Sequence, residues 1–264
     1  MSAPASPPPS ETYFVQLFRL TLYSVEQLAG PPTHPERTLT AQRLVRRQVT
    51  RLSASGAVLV IILMIGFDAT EIGLMPSRGT PALWPLRVLT DFGKDAYVIS
   101  ALAITLLAIA VVLPEARARA RAALLRFGAR IQYLLLAVSV PVLVTEIVKW
   151  AVGRGRPFVG GKANPFNFEP FNGTEAYFSF PSAHAVTAFA LAFGVAAIWP
   201  RTRVAMAVYA VIIATTRLVL LAHHPSDVVA GAVIGILGAM TVRYWFAARR
   251  IGFVIGRDGA IVAR

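Results

Sequence analysis

Long apolar runs separated by short polar segments occupy the chain from about residue 50 onward. A run of about 17–25 apolar residues can cross the hydrocarbon core of a bilayer as a helix, and flanking charges allow a slightly shorter one. Six runs satisfy this condition, so the pattern predicts an all-α fold, an integral membrane bundle of six transmembrane helices. The predicted spans are Leu52–Phe67, Tyr97–Leu113, Ile131–Trp150, Ser182–Trp199, Val204–Ala222 and Val228–Phe246.

The first fifty residues follow a different pattern. The chain begins with MSAPASPPPSE, a stretch rich in Pro and Ser that predicts disorder and lacks the features of a signal peptide. Apolar side chains then recur near a 3.6-residue period from Tyr13 to Leu28, which indicates an amphipathic helix. Such a helix either lies on the membrane as an interfacial helix or packs against the protein itself.

These two patterns predict the organisation of the chain. Residues 1–50 hold the disordered start and the interfacial helix, residues 51–247 the six-span domain, and residues 248–264 a basic cytoplasmic tail. Of the 264 residues 15% are charged, whereas about a quarter of the residues in soluble domains are charged. The chain has no cysteine, which excludes disulfide bonds and thiolate metal sites.

The net charge of +13 lies mostly in short loops between the apolar runs. A soluble protein with this excess would be a candidate nucleic-acid binder, but in membrane proteins Lys and Arg are concentrated in cytoplasmic loops. The richer side includes both termini, which predicts cytoplasmic termini, a plasma (inner) membrane location and no nucleic-acid partner. Its cations are Arg37, Arg43, Arg46, Arg47, Arg51, Arg117, Arg119, Arg121, Arg126, Arg130, Arg201, Arg203, Arg249, Arg250, Arg257 and Arg264, against Arg78, Arg87, Lys94, Arg154, Arg156 and Lys162 on the other side.

Three polar clusters lie on the predicted outer side, which is periplasmic or extracellular. In KWAVGRGRPF, Lys149, Arg154 and Arg156 follow a span, and alone they are typical of cations that anchor a helix end. In FPSAHAVTAF, Ser182 is a good N-cap and His184 lies in the first helical turn. The free N–H groups of a helix N-terminus bind anions, although an ordinary cap beside an interfacial histidine gives the same pattern.

The third cluster, TTRLVLLAHHPSD, joins the fifth and sixth spans. A lipid-facing charge would be costly, so Arg217 is predicted to face a polar interior. Pro225 suits the first turn of the next helix, where Asp227 would lie within reach of a histidine ring and make it a better base or nucleophile. His223 is preferred over His224, because a residue before proline is biased to an extended backbone. His224 is expected to be interfacial.

Together the clusters predict a phosphate site. Fixed cations and backbone N–H groups stabilise a phosphate dianion and its transition state, while two histidines can divide the proton and phosphoryl chemistry. A metal site is the competing use of His and Asp, but these clusters supply few ligands and their cations would repel a divalent ion. No metal and no other cofactor is therefore expected.

These residues resemble the three-part signature of the type 2 phosphatidic acid phosphatase superfamily, the membrane relatives of vanadium haloperoxidases. The matching segments run from Lys149 to Pro157, from Pro181 to His184 and from Thr216 to Asp227. Their order and spacing agree with the family throughout. Two positions differ, because Ala183 replaces the usual glycine and Thr216 the usual serine.

The resemblance implies a metal-free enzyme that hydrolyses a lipid-linked phosphate monoester or diphosphate at the outer face. By this match, His223 attacks phosphorus and becomes phosphohistidine, Asp227 orients it, and His184 protonates the leaving group. The residues implied to hold the phosphoryl oxygens are Lys149, Arg156, Ser182, Ala183 and Arg217.

Several alternatives stay open at this point. The substrate is a phospholipid, polyprenyl or lipid A phosphate, namely undecaprenyl diphosphate, phosphatidic acid, phosphatidylglycerophosphate or a lipid A phosphate. A lipid phosphotransferase would use the same residues, whereas a non-catalytic lipid transporter would not need the histidines and the aspartate. Aromatic residues of the 158–180 loop either cover the site or anchor it at the interface; they are Phe166, Phe168, Phe171 and Tyr177.

Overall fold

The computed structural model describes residues 12–161 and 163–264, so the predicted disordered start and Lys162 lie outside the described residues. The helices in this part of the chain are α1 (Tyr13–Ala29), α2 (Pro35–Gly66), α3 (Asp68–Leu74), α4 (Trp84–Thr90), α5 (Asp95–Val112), α6 (Ala118–Val152), α7 (Ala183–Ile198), α8 (Arg203–Val219) and α9 (Pro225–Ala248). Two short antiparallel strands, β1 (Phe253–Ile255) and β2 (Ile261–Ala263), follow α9.

Each predicted span corresponds to one long apolar helix. Five of these helices, α2, α5, α6, α8 and α9, are long and apolar enough to cross a membrane, α8 together with the short 3-10 turn before it. The sixth, α7, is equally apolar but has 16 residues, a length of about 24 Å. The prediction of an all-α membrane bundle is confirmed, and the protein is a multi-pass membrane protein.

Helix α7 lies at the centre of the bundle, because small residues let its neighbours approach closely. Ala185, Ala188 and Ala190 of α7 are fully buried. On α9, a Cβ atom at Gly235 would collide with the Val186 carbonyl of α7, and one at Gly231 with the carbonyl of Ser182 just before α7, so only glycine allows this packing. Close approach through small residues is the usual basis of helix association in membranes. It fixes the start of α7 against the start of α9.

Two helices extend beyond their predicted spans. Helix α6 begins at Ala118, so much of the basic connection before the third span is itself helical. Helix α2 begins at Pro35, and the domain boundary predicted at residue 50 therefore lies inside a continuous helix. At its other end, α6 stops at Gly153, whose backbone is left-handed with φ of 56° and whose N–H donates to the Lys149 carbonyl.

The basic tail of residues 248–264 contains both strands. Its two strands form a hairpin, and Phe253 is 2% exposed, with its ring 4.7 Å from the ring of Tyr133 in α6. At the hairpin turn, Gly259 lies against Thr40 and Leu44 of α2. The tail thus closes one end of the bundle.

Helix α1 contacts the protein along one side only. The Tyr13 hydroxyl donates to the Val111 carbonyl at 2.7 Å, and the Trp245 indole donates to the Leu28 carbonyl at 3.1 Å. Its opposite side carries an exposed apolar stripe of Phe14, Val15, Phe18, Leu22 and Val25. These contacts fix α1 on the bundle, and its position at a membrane surface stays a prediction.

Candidate active site

The three sequence clusters meet at the end of the bundle where α6 and α8 stop and α7 and α9 begin. Lys149 lies in the last turn of α6, and Arg217 in the last turn of α8. Ser182 precedes α7, and His184 is its second residue. The His184 ring lies within electrostatic range of Arg217, Lys149 and Arg156. Residues far apart in the chain are thereby brought to one place.

The predicted nucleophile, His223, is held in the turn between α8 and α9. Its side chain is buried, and Nδ1 lies 2.7 Å from the backbone carbonyl oxygen of Ser179. A carbonyl oxygen only accepts, so Nδ1 carries the hydrogen and Nε2 keeps its lone pair. Burial, followed by the charges of Arg217 and Arg156, holds the pKa of His223 well below its ordinary value.

Asp227 lies behind His223 rather than in direct contact with its ring. One of its oxygens is 3.9 Å from Nδ1 of His223, beyond hydrogen-bonding distance. That oxygen accepts the Ser179 hydroxyl at 2.6 Å and the backbone N–H of His224 at 2.9 Å. Asp227 is therefore connected to His223 through Ser179, whose hydroxyl it binds and whose carbonyl meets the ring.

Arg154 is fully buried, unlike the other two cations of its cluster. Its guanidinium donates to Asp227 at 2.5 Å, to Asp68 at 2.8 Å and to the Pro165 carbonyl at 2.8 Å. Asp68 also accepts the backbone N–H of Ser226 at 3.0 Å. A buried charge is tolerable only when paired in this way. Arg154 thus belongs to a structural network behind Asp227, a correction to its grouping with interfacial cations.

His224 is also placed differently from the expectation. Its backbone is extended, with φ of -78° and ψ of 156°, as the following proline predicts. The expected interfacial position is wrong, however, because the residue is 0% exposed. The ring lies inside the protein, with Nε2 3.4 Å from the Gly155 carbonyl oxygen.

The residues predicted to hold phosphate keep donors available. The Ser182 hydroxyl is buried and has no partner among the described residues, and the same is true of Nε in Arg156 and in Arg217. Ala183 is the first residue of α7, so its N–H belongs to a helix N-terminus despite the missing glycine. The Thr216 hydroxyl accompanies Arg217, since both bond to Thr90.

Glu146 and Lys149 form an ion pair. Their spacing of three residues predicts that they share a helix face, and Lys149 Nζ lies 2.6 Å from Glu146 Oε1. Lys149 is buried while the Glu146 carboxylate is half exposed. The pair therefore orients the Lys149 amine, and only one of its two charges is buried.

A cavity of about 400 Å³ opens beside these donors. Arg156 and Arg217 line it from the motif side, while Arg78, Arg87 and Thr90 line it from the segment before α5. The sequence indicated Arg78 and Arg87 only as outer-side charges. It gave no role to Thr90, and none to Asp68, Ser179 or Ser226. The acidic Asp68 directly after an apolar span was an available signal.

The aromatic loop lies against the end of α6. The Phe171 N–H donates to the Trp150 carbonyl at 2.9 Å, and the two rings meet edge-on at 4.6 Å. Phe168 lies 5.8 Å from the Arg154 guanidinium. Phe166 remains exposed. The loop therefore covers the Arg154 network, behind Asp227.

Comparison with known proteins gives matches of three kinds. The model of the PAP2 superfamily matches residues 130–251. A lipid A 1-phosphatase from Rhizobium johnstonii is 33% identical over 213 residues, which cover 78% of this chain and 84% of the relative. A lipid A 1-phosphatase from Rhizobium etli is 34% identical over 183 residues, which cover 67% and 77% respectively. The crystal structure of a transmembrane PAP2-type phosphatidylglycerolphosphate phosphatase from Bacillus subtilis is similar in fold, with a TM-score of 0.52 at 19% identity over 74% of this chain and 93% of that one.

Proposed function

The chain belongs to the PAP2 superfamily, and we propose that this membrane lipid phosphatase removes phosphate from a lipid A 1-phosphate through a phosphohistidine at His223. Two relatives with the name lipid A 1-phosphatase support this choice among the four substrate classes, since each aligns with two thirds or more of the chain. The family model, whose match spans all three motifs, supports the enzyme class independently of the substrate.

The hydrogen bond from His223 Nδ1 to the Ser179 carbonyl carries the mechanistic part of the proposal. It leaves a lone pair on Nε2, and attack on phosphorus requires a lone pair. The low pKa of His223 keeps the ring neutral at physiological pH. Asp227 is a positioning residue in this scheme, because it holds Ser179 and the turn rather than the ring itself.

The reaction then takes two steps. In the first, the Nε2 lone pair of His223 forms a bond to phosphorus while the bond from phosphorus to the lipid oxygen breaks. His184, which enters this step protonated, donates its proton to that oxygen and becomes neutral, and the lipid leaves as an alcohol. In the second step, water attacks phosphorus and gives a proton to His184. The phosphorus–nitrogen bond breaks, its electron pair returns to Nε2, and inorganic phosphate leaves.

The phosphoryl oxygens are held by Lys149, Arg156, Arg217, the Ser182 hydroxyl and the Ala183 N–H. These donors are aimed at the charge that develops on the oxygens in the transition state. The scheme needs no metal, and within residues 12–161 and 163–264 no three His, Asp or Glu side chains form a metal-ligand set. The site would face the outer leaflet, with both termini in the cytoplasm.

Phosphate release from purified lipids tests the substrate. The wild-type protein in detergent is assayed with lipid A 1-phosphate, undecaprenyl diphosphate, phosphatidic acid and phosphatidylglycerophosphate, and His223→Ala supplies the blank. We expect the highest kcat/KM on lipid A 1-phosphate. Turnover of phosphatidic acid with none of lipid A would contradict the substrate while leaving the enzyme class intact.

Inhibition separates the phosphohistidine scheme from a metal-dependent one. Vanadate adopts the trigonal-bipyramidal geometry of the transition state, so it is expected to inhibit, whereas EDTA is expected to have no effect. Loss of activity with EDTA that a divalent ion restores would remove the scheme.

A further inference from the structure

The cavity beside the motif residues holds more positive charge than the proposed reaction uses. Four arginines line it: Arg156 and Arg217 come from the motifs, and Arg78 and Arg87 come from the segment between α3 and α5. The other lining residues are Gly79, Leu83, Thr90, Leu220 and Ala222, so the lining contains no carboxylate.

Among the residues that the structure describes, no carboxylate neutralises Arg78 or Arg87. In the part of the chain that the structure describes, neither forms an ion pair. Arg87 donates to the Thr80 carbonyl at 3.3 Å. Arg78 is close enough to act electrostatically on both Arg156 and Arg217. Like charges held together in this way favour an anion between them.

The motif arginines have only weak compensation of their own. Glu175 lies 4.0 Å from Arg156 and is exposed, and Asp91 acts on Arg217 from a distance. Both arginines also keep a buried Nε–H group without a partner among the described residues. The cavity thus combines surplus charge with unused donors.

The cations around the cavity exceed the negative charge of a single phosphate group. A phosphate monoester carries up to about two negative charges at neutral pH. Lys149, Arg156 and Arg217 supply three positive charges, and Glu146, paired with Lys149, removes one, so a net two positive charges already match this group. Arg78 and Arg87 add two more, which match one additional phosphoryl group, and the planar guanidinium fork suits phosphate oxygens.

We propose that Arg78 and Arg87 form a second anion subsite, which binds a phosphoryl group of the lipid other than the one that is cleaved. This inference rests on the proposed function, because it takes the position of the cleaved phosphate from His223. The second group is either the neighbouring phosphate of a diphosphate or a separate phosphate on the same headgroup. Among lipids that are otherwise the same, those with two phosphoryl groups are therefore preferred over monophosphates.

Three lipids with the same acyl chains test this selectivity. One carries a monophosphate, one a diphosphate and one two separated phosphates. The double variant Arg78→Gln/Arg87→Gln is compared with the wild type in detergent, and the exposed Arg201→Gln, at the predicted opposite end, is the matched control. We expect the preference of kcat/KM for at least one doubly phosphorylated lipid to fall about tenfold or more in the double variant, since each lost contact is charge-assisted.

The two phosphorylated lipids distinguish the sources of the second group. A preference for the diphosphate places the groups adjacent, and a preference for the separated phosphates places them apart. If all three lipids lose activity equally, the arginines act on the cleaved phosphate or on the surrounding membrane, and the inference is overturned. An unchanged preference in the double variant overturns it as well.

Anion binding to an inactive variant tests the subsite independently of the proposed function. His223→Ala, which lacks the proposed nucleophile, is titrated with inorganic phosphate and with pyrophosphate, and the thermal midpoint reports binding. We expect pyrophosphate to bind about tenfold or more tightly, and the advantage to disappear when Arg78 and Arg87 are also replaced. If the wild type hydrolyses no lipid but pyrophosphate still binds more tightly than inorganic phosphate, the proposed function is refuted and the subsite is not. If lipids are hydrolysed and the advantage over inorganic phosphate is absent both for pyrophosphate and for a soluble headgroup with two separated phosphates, the subsite fails alone.

Discussion

His223 and His224 are adjacent, yet their surroundings give them different capacities. His223 has Nδ1 fixed by the Ser179 carbonyl and its ring near Arg217 and Arg156. His224 is fully buried at the start of α9, and its Nδ1 has no partner among the described residues. One ring is therefore oriented toward the donors of the site, and the other packs inside the turn.

Alanine substitutions should show which of the two histidines is the nucleophile. We expect His223→Ala to lower kcat by about a thousandfold or more, because it removes the activated nucleophile. His224→Ala should keep measurable activity in the folded protein but lower Tm by on the order of 5 °C, because a buried side chain is lost. Rates and thermal unfolding in detergent measure both effects. A phosphohistidine trapped at residue 224, or the reverse order of activities, would refute the assignment.

Glu71 is a buried carboxyl group with no partner for either oxygen among the described residues. Burial, with a contribution from Asp68, raises its pKa from 4.5 to about 7. The folded state therefore keeps a proton that the unfolded state loses between these two pH values. Folding stability is lost as the pH rises through that window.

The isosteric Glu71→Gln variant removes this pH dependence. We expect it to raise Tm by about 2–4 °C at pH 8 and to change Tm little at pH 5, where the native carboxyl group is already neutral. The exposed Glu115→Gln serves as the control and should be neutral at both values. An equal gain at pH 5 and pH 8 would show that ionisation is not the cause.

Motif spacing predicted the residues that share a short stretch with other site residues, such as Ser182 with His184. It could not reveal the network behind them. Arg154 meets Asp68, a residue 86 positions away, and Ser179 reaches Asp227 over 48 positions. Such pairs depend on how the helices are arranged, so the position of Asp68 after an apolar span indicates a role but not its partner.

At the level of helices, the close contact between α7 and α9, here called the seam, determines where the site residue Ser182 lies. Gly231 lies against the Ser182 carbonyl, at 2.5 Å from the position that a Cβ atom would take. Gly235 lies one turn further along, against Val186. A methyl group at either position forces the two helices apart, which costs about 1–3 kcal/mol in a well-packed interface.

Substitutions along this seam should have graded effects. Gly231→Ala and Gly235→Ala are both expected to lower Tm by on the order of 5 °C. Gly231→Ala should also lower kcat/KM by about tenfold, because it displaces Ser182 directly. Gly66→Ala, in α2 with nothing within 4 Å of the added atom, is the matched control and should not lower Tm. Equal kcat/KM values for all three variants would show that the packing of α7 against α9 does not affect the site.

The length and hydropathy of the apolar runs were sufficient to predict the spanning helices, because these two properties require no tertiary information. They failed where helices leave the apolar region. The basic start of α6 and the residues 35–51 of α2 are helical because they continue an existing helix, not because they are apolar. The β1–β2 hairpin has three residues in each strand, and packing of Phe253 on Tyr133 stabilises it.

The whole molecule has one cationic end and one end that carries the site. Arg130 of α6 donates to the carbonyl oxygen of Arg264, and its guanidinium lies 5.6 Å from the ring of Trp199 after α7. The tail also touches the start of α2 at Gly259. The cation-rich segments of the sequence therefore gather at one end, opposite Ser182 and His223. This separation is the pattern that the positive-inside rule associates with a cytoplasmic surface.

Single cysteines can establish which end faces outward, because the chain contains no cysteine of its own. Asn172 lies exposed in the loop at the site end, and Ala260 lies exposed in the hairpin at the cationic end. In intact cells, a membrane-impermeant thiol reagent should label Asn172→Cys, while Ala260→Cys should react only after the membrane is broken. The charge difference between the ends predicts this result, since positive segments resist translocation. Labelling of Ala260→Cys alone in intact cells would invert the topology and place the phosphatase site in the cytoplasm.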